Sequence, residues 1–212
     1  MEYLLNNALE AYNRHSGWIV WNLFLAFIPL AISFWLFRWS TKSRSFLWWI
    51  GFIVYIAFLP NAPYLLTDII HLIQAIRAGY SAWLITLVFI PLHLSAILLG
   101  LEAYVISLLN QGYYLRRQRA GRFVIWSELI THALCAVGVY LGRFRRFNSW
   151  DLVTQLDTVL VNVIDDLTTK RPLFVIAILF VVITISYFVM KQITLGLILR
   201  IRYVFLNRKK SN

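Results

Sequence analysis

Five apolar stretches, each about as long as a membrane core is thick, constrain this chain more than any single motif. They run from Trp18 to Phe37, Phe46 to Leu66, Ser81 to Leu109, Phe123 to Leu141 and Pro172 to Met190. A helix needs about 20 apolar residues to cross roughly 30 Å of hydrocarbon, because each residue rises only about 1.5 Å. The runs are long and do not alternate, so helices rather than a closed barrel are expected. Of the 212 residues, 60% are hydrophobic and 14% charged, where a soluble domain has roughly 45–50% and about 25%. The predicted fold is an all-α integral membrane protein, one polytopic domain over residues 1–212, with about five transmembrane helices and amphipathic helices at the outer interface. Met1-Glu2-Tyr3 lacks the basic n-region of a cleavable signal peptide, so the first span is expected to act as its own insertion signal.

Lysine and arginine placement predicts the orientation, because the cytoplasmic side retains them. With the N-terminus outside, thirteen fall on inner segments: Arg38, Lys42, Arg44, Arg116, Arg117, Arg119, Arg122, Lys191, Arg200, Arg202, Arg208, Lys209 and Lys210. Seven fall outside: Arg14, Arg77, Arg143, Arg145, Arg146, Lys170 and Arg171. The expected localisation is the bacterial plasma membrane, N-terminus outside and C-terminus cytoplasmic. The net charge of +11 then reads as anchoring to anionic lipid and calls for no nucleic acid. The single cysteine, Cys135, lies inside the fourth run and reads as a buried structural thiol.

The second run is interrupted by Phe58-Leu-Pro-Asn-Ala-Pro-Tyr-Leu-Leu-Thr-Asp-Ile-Ile-His71. From Phe46 to Leu59 a helix reaches only about 21 Å, so the break is expected at membrane depth. Pro60 and Pro63 donate no backbone hydrogen bond and should bias Leu59 and Ala62 away from helical angles. Carbonyls near Ile56 to Leu59 must then find other partners. A restart with Asn61 as N-cap and Pro63 in the first turn would carry an apolar face of Leu65, Leu66, Ile69, Ile70, Ile73 and Ile76 against a polar face of Thr67, Asp68, His71 and Gln74. Two readings stay open: a proline kink followed by an interfacial helix that wets its polar face, or a binding site at a discontinuous helix.

After the fourth run comes Gly138-Val-Tyr-Leu-Gly-Arg-Phe-Arg-Arg-Phe-Asn-Ser-Trp-Asp151. Its arginines stand against the positive-inside trend, and Arg143, Arg145 and Arg146 interleaved with Phe144, Phe147 and Trp150 suit an interfacial anion site. The competing reading pairs them with Asp68, Asp151, Asp157, Asp165 or Asp166. Asn148, Ser149 and Asp151 are expected to cap a surface helix from Leu152 to Leu167. Gly138 and Gly142 permit close helix approach, within the chain or between copies.

The motifs Phe58-Leu-Pro-Asn-Ala-Pro-Tyr-Leu-Leu-Thr-Asp68 with His71-Leu72, and Tyr140-Leu-Gly-Arg-Phe with Asn148-Ser-Trp-Asp151, resemble the signatures of a bacterial multi-pass membrane family, domain of unknown function 1361 (DUF1361). The resemblance spans roughly residues 48–190. It implies a multi-pass membrane protein and marks Asn61, Pro63, Asp68, His71, Arg143, Asn148, Trp150 and Asp151 as family-defining; it implies no mechanism. The third span departs from the family pattern, which sets an acidic residue soon after a tryptophan: here Leu84 and Ile85 follow Trp83.

His93 and Glu102 lie in the third run, Glu128 and His132 in the fourth. Ionisable residues in lipid face a protein interior or a wet cavity. Glu128 and His132, four apart, share a helix face, and Glu102 and Glu128 are placed to meet in the inner half. Glu102, Glu128 and His132 are ion or proton relay candidates, with structural hydrogen bonding as the competing reading. No metal site is expected, since H-E-x-x-H and Cys pairs are absent, and the sequence names no cofactor and no nucleotide motif.

Three functions follow. One is recognition of an anionic lipid or polyprenyl-phosphate-like ligand at the outer interface through Asn61, Arg143, Arg145, Arg146, Asn148 and Trp150. The others are a small-ion or proton-coupled transporter and a non-catalytic membrane scaffold with a protein partner. Whether the chain is an enzyme is open; His71 would be its acid or base, with Asp68 or Asp151 as orienter.

Overall fold

A computed structural model describes residues 2–39 and 44–210, with side chains described for 17–39, 44–151, 154–204, 206 and 207. Arg14, Lys42, Leu152, Arg208, Lys209 and Lys210, used in the expectations above, have side chains outside the described residues. The helices are α1 (Glu2–Phe34), α2 (Phe46–Phe58), α3 (Asn61–Tyr64), α4 (Ile69–Arg77), α5 (Ala82–Leu84), α6 (Ile90–Arg117), α7 (Val124–Tyr140), α8 (Asp151–Thr154), α9 (Leu156–Thr168) and α10 (Lys170–Lys210). Widened π-helical turns extend α1 (Trp35–Trp39), join α5 to α6 (Ile85–Phe89) and extend α7 (Leu141–Arg145).

Five helical segments are long and apolar enough to cross a membrane: Gly17–Trp39, Phe46–Arg77, Ala82–Arg117, Gly121–Arg145 and Lys170–Val204. They contain the five apolar runs except for Ser81, which caps the third segment from outside. Their outward faces carry large apolar side chains, among them Trp21, Phe24, Trp126, Ile130, Phe174 and Ile185. An exposed apolar surface of that extent suits lipid, not water.

α6 is the axis of the bundle, packing on α1, α3, α7 and α10, while α10 packs chiefly on α7. Hydrophobic burial does not join helices in lipid, so close contact and interhelical hydrogen bonds do. Arg38 Nε donates to Asn110 Oδ1 at 2.7 Å, and Asn110 Nδ2 donates to Ser33 Oγ at 3.0 Å. Tyr55 OH donates to Gln111 Oε1 at 3.1 Å, and Gln111 Nε2 in turn donates to Ser127 on α7.

The proline segment corrects two expectations. Leu59 (φ −57°, ψ −36°) and Pro60 (φ −59°, ψ −23°) keep helical angles, so the second span turns without unwinding. The helix resumes as α3, tightens into a 3₁₀ turn at Leu65–Asp68 and continues as α4. Asn61 is not the N-cap: Pro60 holds that place, and Asn61 Nδ2 instead donates to the Phe58 carbonyl at 2.8 Å. The side chain thereby serves the Phe58 carbonyl, because the Ala62 N–H turns instead to the Leu59 carbonyl at 3.2 Å. Two glycines let the segment enter the bundle. A Cβ on Gly100 would meet the Ala62 carbonyl at 3.0 Å and collide with Leu65 Cδ1, and one on Gly138 would meet Pro60 Cγ at 2.6 Å. The Gly138/Gly142 pair therefore serves packing within the chain, with Gly142 against Tyr64.

The helix expected from Leu152 to Leu167 is broken at Gln155 (φ −143°, ψ 45°), giving α8 and α9. Asn148, Ser149 and Asp151 do not cap it from outside. Asp151 lies in the first turn of α8, and its carboxylate receives the Asn148 N–H at 2.6 Å. On α9, Leu156, Leu160, Ile164 and Leu167 are exposed, while Val159 and Asp166 turn inward.

Candidate functional site

The polar stripe predicted on Thr67, Asp68, His71 and Gln74 divides. Asp68 is buried, Thr67 and His71 are half-buried and Gln74 is exposed, whereas the isoleucines 69, 70, 73 and 76 face outward. A water-facing polar stripe is thus excluded for Asp68: the helix turns this carboxylate into the bundle.

Arg143 meets it there. The widened turn at the end of α7 places Arg143 and Arg145 two residues apart, so their side chains leave on different sides. Arg143 reaches the 3₁₀ turn. Its NH2 pairs with Asp68 Oδ1, NH2 and Nε donate to Thr67 Oγ1 at 2.7 and 3.0 Å, and the guanidinium lies 4.3 Å from the centroid of the Tyr64 ring. Asn22 Nδ2 on α1 donates to Asp68 Oδ2 at 3.1 Å. One carboxylate thus ties together the first, second and fourth spans.

His71 closes the cluster, with 31% of its side chain exposed. Arg143 NH1 lies 3.4 Å from Nε2, Gln74 Oε1 lies 3.1 Å from Nδ1, and the Trp18 ring packs on the imidazole at 4.3 Å between centroids. These contacts fit the tautomer with its proton on Nδ1, leaving Nε2 to accept from arginine. Asp68 was expected as the orienter of His71, but their nearest approach is 4.0 Å, too long for a hydrogen bond. Arg143 engages Asp68 Oδ1 and Asn22 engages Oδ2. Asp151, the other candidate, is engaged by Asn148 in its own turn.

The two unusual segments touch a second time, where Asn61 Nδ2 donates to Ser149 Oγ at 2.8 Å. Arg145 turns to α9 and grips Asp166 with both Nε (3.1 Å) and NH2 (2.6 Å), with Asp165 at 3.5 Å. The pairing reading therefore holds for two of the three arginines. Arg146 is exposed, in left-handed backbone conformation (φ 61°, ψ 29°), and has no ion pair among the described residues. Trp150 is exposed and Asn148 stays with Asp151.

The relay candidates form a separate group. Glu128 Oε1 accepts from Tyr187 OH at 2.7 Å and Lys191 Nζ at 2.6 Å, and His132 Nδ1 lies 2.7 Å from Tyr104 OH. Glu102 accepts from Thr194 Oγ1 at 2.8 Å. The two glutamates thus meet α10, not one another; no hydrogen bond joins them among the described residues. Lys191, counted above as a loop charge, is a largely buried ion-pair partner, 14% exposed.

Asn22, Tyr187 and Lys191 are the partners that sequence reasoning passed over; Thr67 stood on the expected polar face, but not as a partner of Arg143. Asn22 did carry a signal, as the lone amide inside the first apolar run. Lys191 stood one residue beyond the fifth run as drawn, where a charge reads as an anchor.

A family model described as "Protein of unknown function (DUF1361)" matches residues 21–185. No curated protein and no solved structure matches the chain.

Proposed function

The chain belongs to the DUF1361 family of proteins of unknown function, and on that premise we propose that it recognises the anionic headgroup of a membrane amphiphile, a phospholipid or polyprenyl phosphate, at the outer face of the plasma membrane. Arg146 carries the reading. It is exposed and without an acidic partner among the described residues, while its neighbours Arg143 and Arg145 are neutralised by Asp68 and Asp166. Exposed Phe144 and Trp150 flank it in sequence, as aromatic anchors do at a membrane interface.

A phosphate oxygen matches the fork of a guanidinium, and such charge-assisted bonds exceed neutral ones. Arg143, three residues before Arg146, and His71 beside it on α4 stay partly exposed, at 16% and 31% of their side chains. The outer placement rests on the basic cluster Arg116, Arg117, Arg119 and Arg122 at the opposite end of α7. The reading stops at binding, because the carboxylate and both imidazole nitrogens of the cluster already have partners.

The test is native mass spectrometry of the full chain extracted from vesicles of mixed phosphatidylglycerol and phosphatidylcholine. Wild type should retain the anionic lipid preferentially. Arg146→Gly keeps a backbone suited to left-handed angles but removes the charge, and it should weaken that preference about tenfold, as loss of one charged hydrogen bond of about 1.5 kcal/mol implies. Equal preference in both proteins would overturn the reading.

A further inference from the structure

Two buried polar atoms on one face of α7 have no hydrogen-bond partner: Glu128 Oε2 and His132 Nε2. Glu128 is 3% exposed and His132 0%. Leaving such an atom unpaired costs about 1–3 kcal/mol, and native interiors relieve that cost with bound water.

The other half of each side chain is fixed. Tyr187 and Lys191 fill Glu128 Oε1, and the Tyr104 hydroxyl meets His132 Nδ1. When Tyr104 donates to Nδ1, the imidazole proton resides on Nε2. The unpaired atoms are then a donor and an acceptor, one helical turn apart. The Tyr187 ring lies 4.6 Å from the His132 ring and bonds Glu128, so one side chain borders both groups.

We propose that Glu128 and His132 form a buried proton-binding site bridged by one water molecule, which accepts from His132 Nε2–H and donates to Glu128 Oε2. Uptake adds one proton through that water to Oε2, turning the carboxylate into a carboxylic acid; release restores the carboxylate. The site is distinct from the Asp68–Arg143 cluster and does not depend on headgroup binding. The charged and titratable groups in contact with it are Tyr187 and Lys191 from α10 and Tyr104 from α6, with Arg116 from α6, Cys135 from α7 and Tyr55 from α2 next to those tyrosines. Uptake matters mechanically, because it removes the counter-charge of the largely buried Lys191 and so loosens α10 from α7.

Infrared difference spectroscopy of the full chain in vesicles tests this between about pH 2.5 and about pH 9, a range that brackets ordinary carboxyl and imidazole titration. Beside the bands of the chain's other carboxyls, wild type should show a carboxylic-acid component at the higher frequency of a group shielded from water, which grows on acidification and shifts in D₂O. Glu128→Gln should abolish it, and His132→Ala should move its midpoint by about one pH unit, a tenfold change in proton affinity. Should Glu128→Gln fail to fold with Lys191 unpaired, the double variant Glu128→Gln, Lys191→Met takes its place. Absence of the band in wild type, its survival without Glu128, or an unmoved midpoint in His132→Ala would overturn the proposal.

Discussion

The Cβ that Gly138 lacks would stand 2.6 Å from the ring Cγ of Pro60, so the fourth span and the proline segment meet with no side chain between them. Neither partner can yield, since the proline ring is rigid and α7 is continuous here. Gly138→Ala should therefore destabilise the protein by about 1–3 kcal/mol, the usual cost of overpacking. Gly196 on α10 has open space around it, and Gly196→Ala should be neutral or slightly stabilising, as expected for an exposed helical position. Thermal midpoints of the two variants in the same detergent decide the matter; equal midpoints would mean that the contact is not tight.

Asp68 and Arg143, 75 residues apart, form the ion pair that joins the second and fourth spans. Removing one member of a buried pair leaves the other uncompensated, a loss of about 3–5 kcal/mol. Arg143 is 16% exposed, so the lower end applies to Asp68→Asn. Replacing both, as Asp68→Asn with Arg143→Gln, should cost less than the sum of the single changes, and a double-mutant cycle of thermal stabilities measures the coupling. Strict additivity would show that the pair contributes nothing.

How far this site was legible depends on what each residue signals alone. Apolar run length gave the five spans, since membrane thickness sets it directly. Asp68, His71 and Arg143 stood out because polar groups in such runs need partners, and the structure brings all three together. Asp166 was one of five acidic partners open to the arginines, but nothing singled it out for Arg145: the offset between α7 and α9 depends on the break at Gln155, which no residue type there announces. Proline rules also misled locally. They anticipate non-helical angles before Pro60, yet packing against Gly138 and the Asn61 amide hold Leu59 in the helical region.

Asn61 makes two bonds from one amide nitrogen, to the Phe58 carbonyl and to Ser149 Oγ, both at 2.8 Å. Asn61→Ala deprives the Phe58 carbonyl of its side-chain donor and detaches the turn before α8. The expected loss is about 1–3 kcal/mol for an unsatisfied buried acceptor. Ser149→Ala removes only the second bond and should cost about 1 kcal/mol or less. Hydrogen exchange should then show faster exchange at residues 58–62 in Asn61→Ala alone. Matching exchange in the two variants would place the amide's main role at Ser149.

Lys191 supplies the counter-charge to Glu128 at 2.6 Å from α10, the helix that also presents Tyr187 to the same oxygen. Lys191→Met keeps the aliphatic stem and strips the charge, leaving a carboxylate that is 3% exposed with Tyr187 as its one donor among the described residues. Breaking such a pair from one side costs about 3–5 kcal/mol, whereas replacing both charges with groups of similar volume is often neutral. The single variant should unfold at a clearly lower temperature than wild type, and Glu128→Gln combined with Lys191→Met should recover most of the difference. Recovery would locate the cost in the stranded carboxylate; a double variant as unstable as the single one would place it in the packing of the lysine stem against Tyr187 and Phe188.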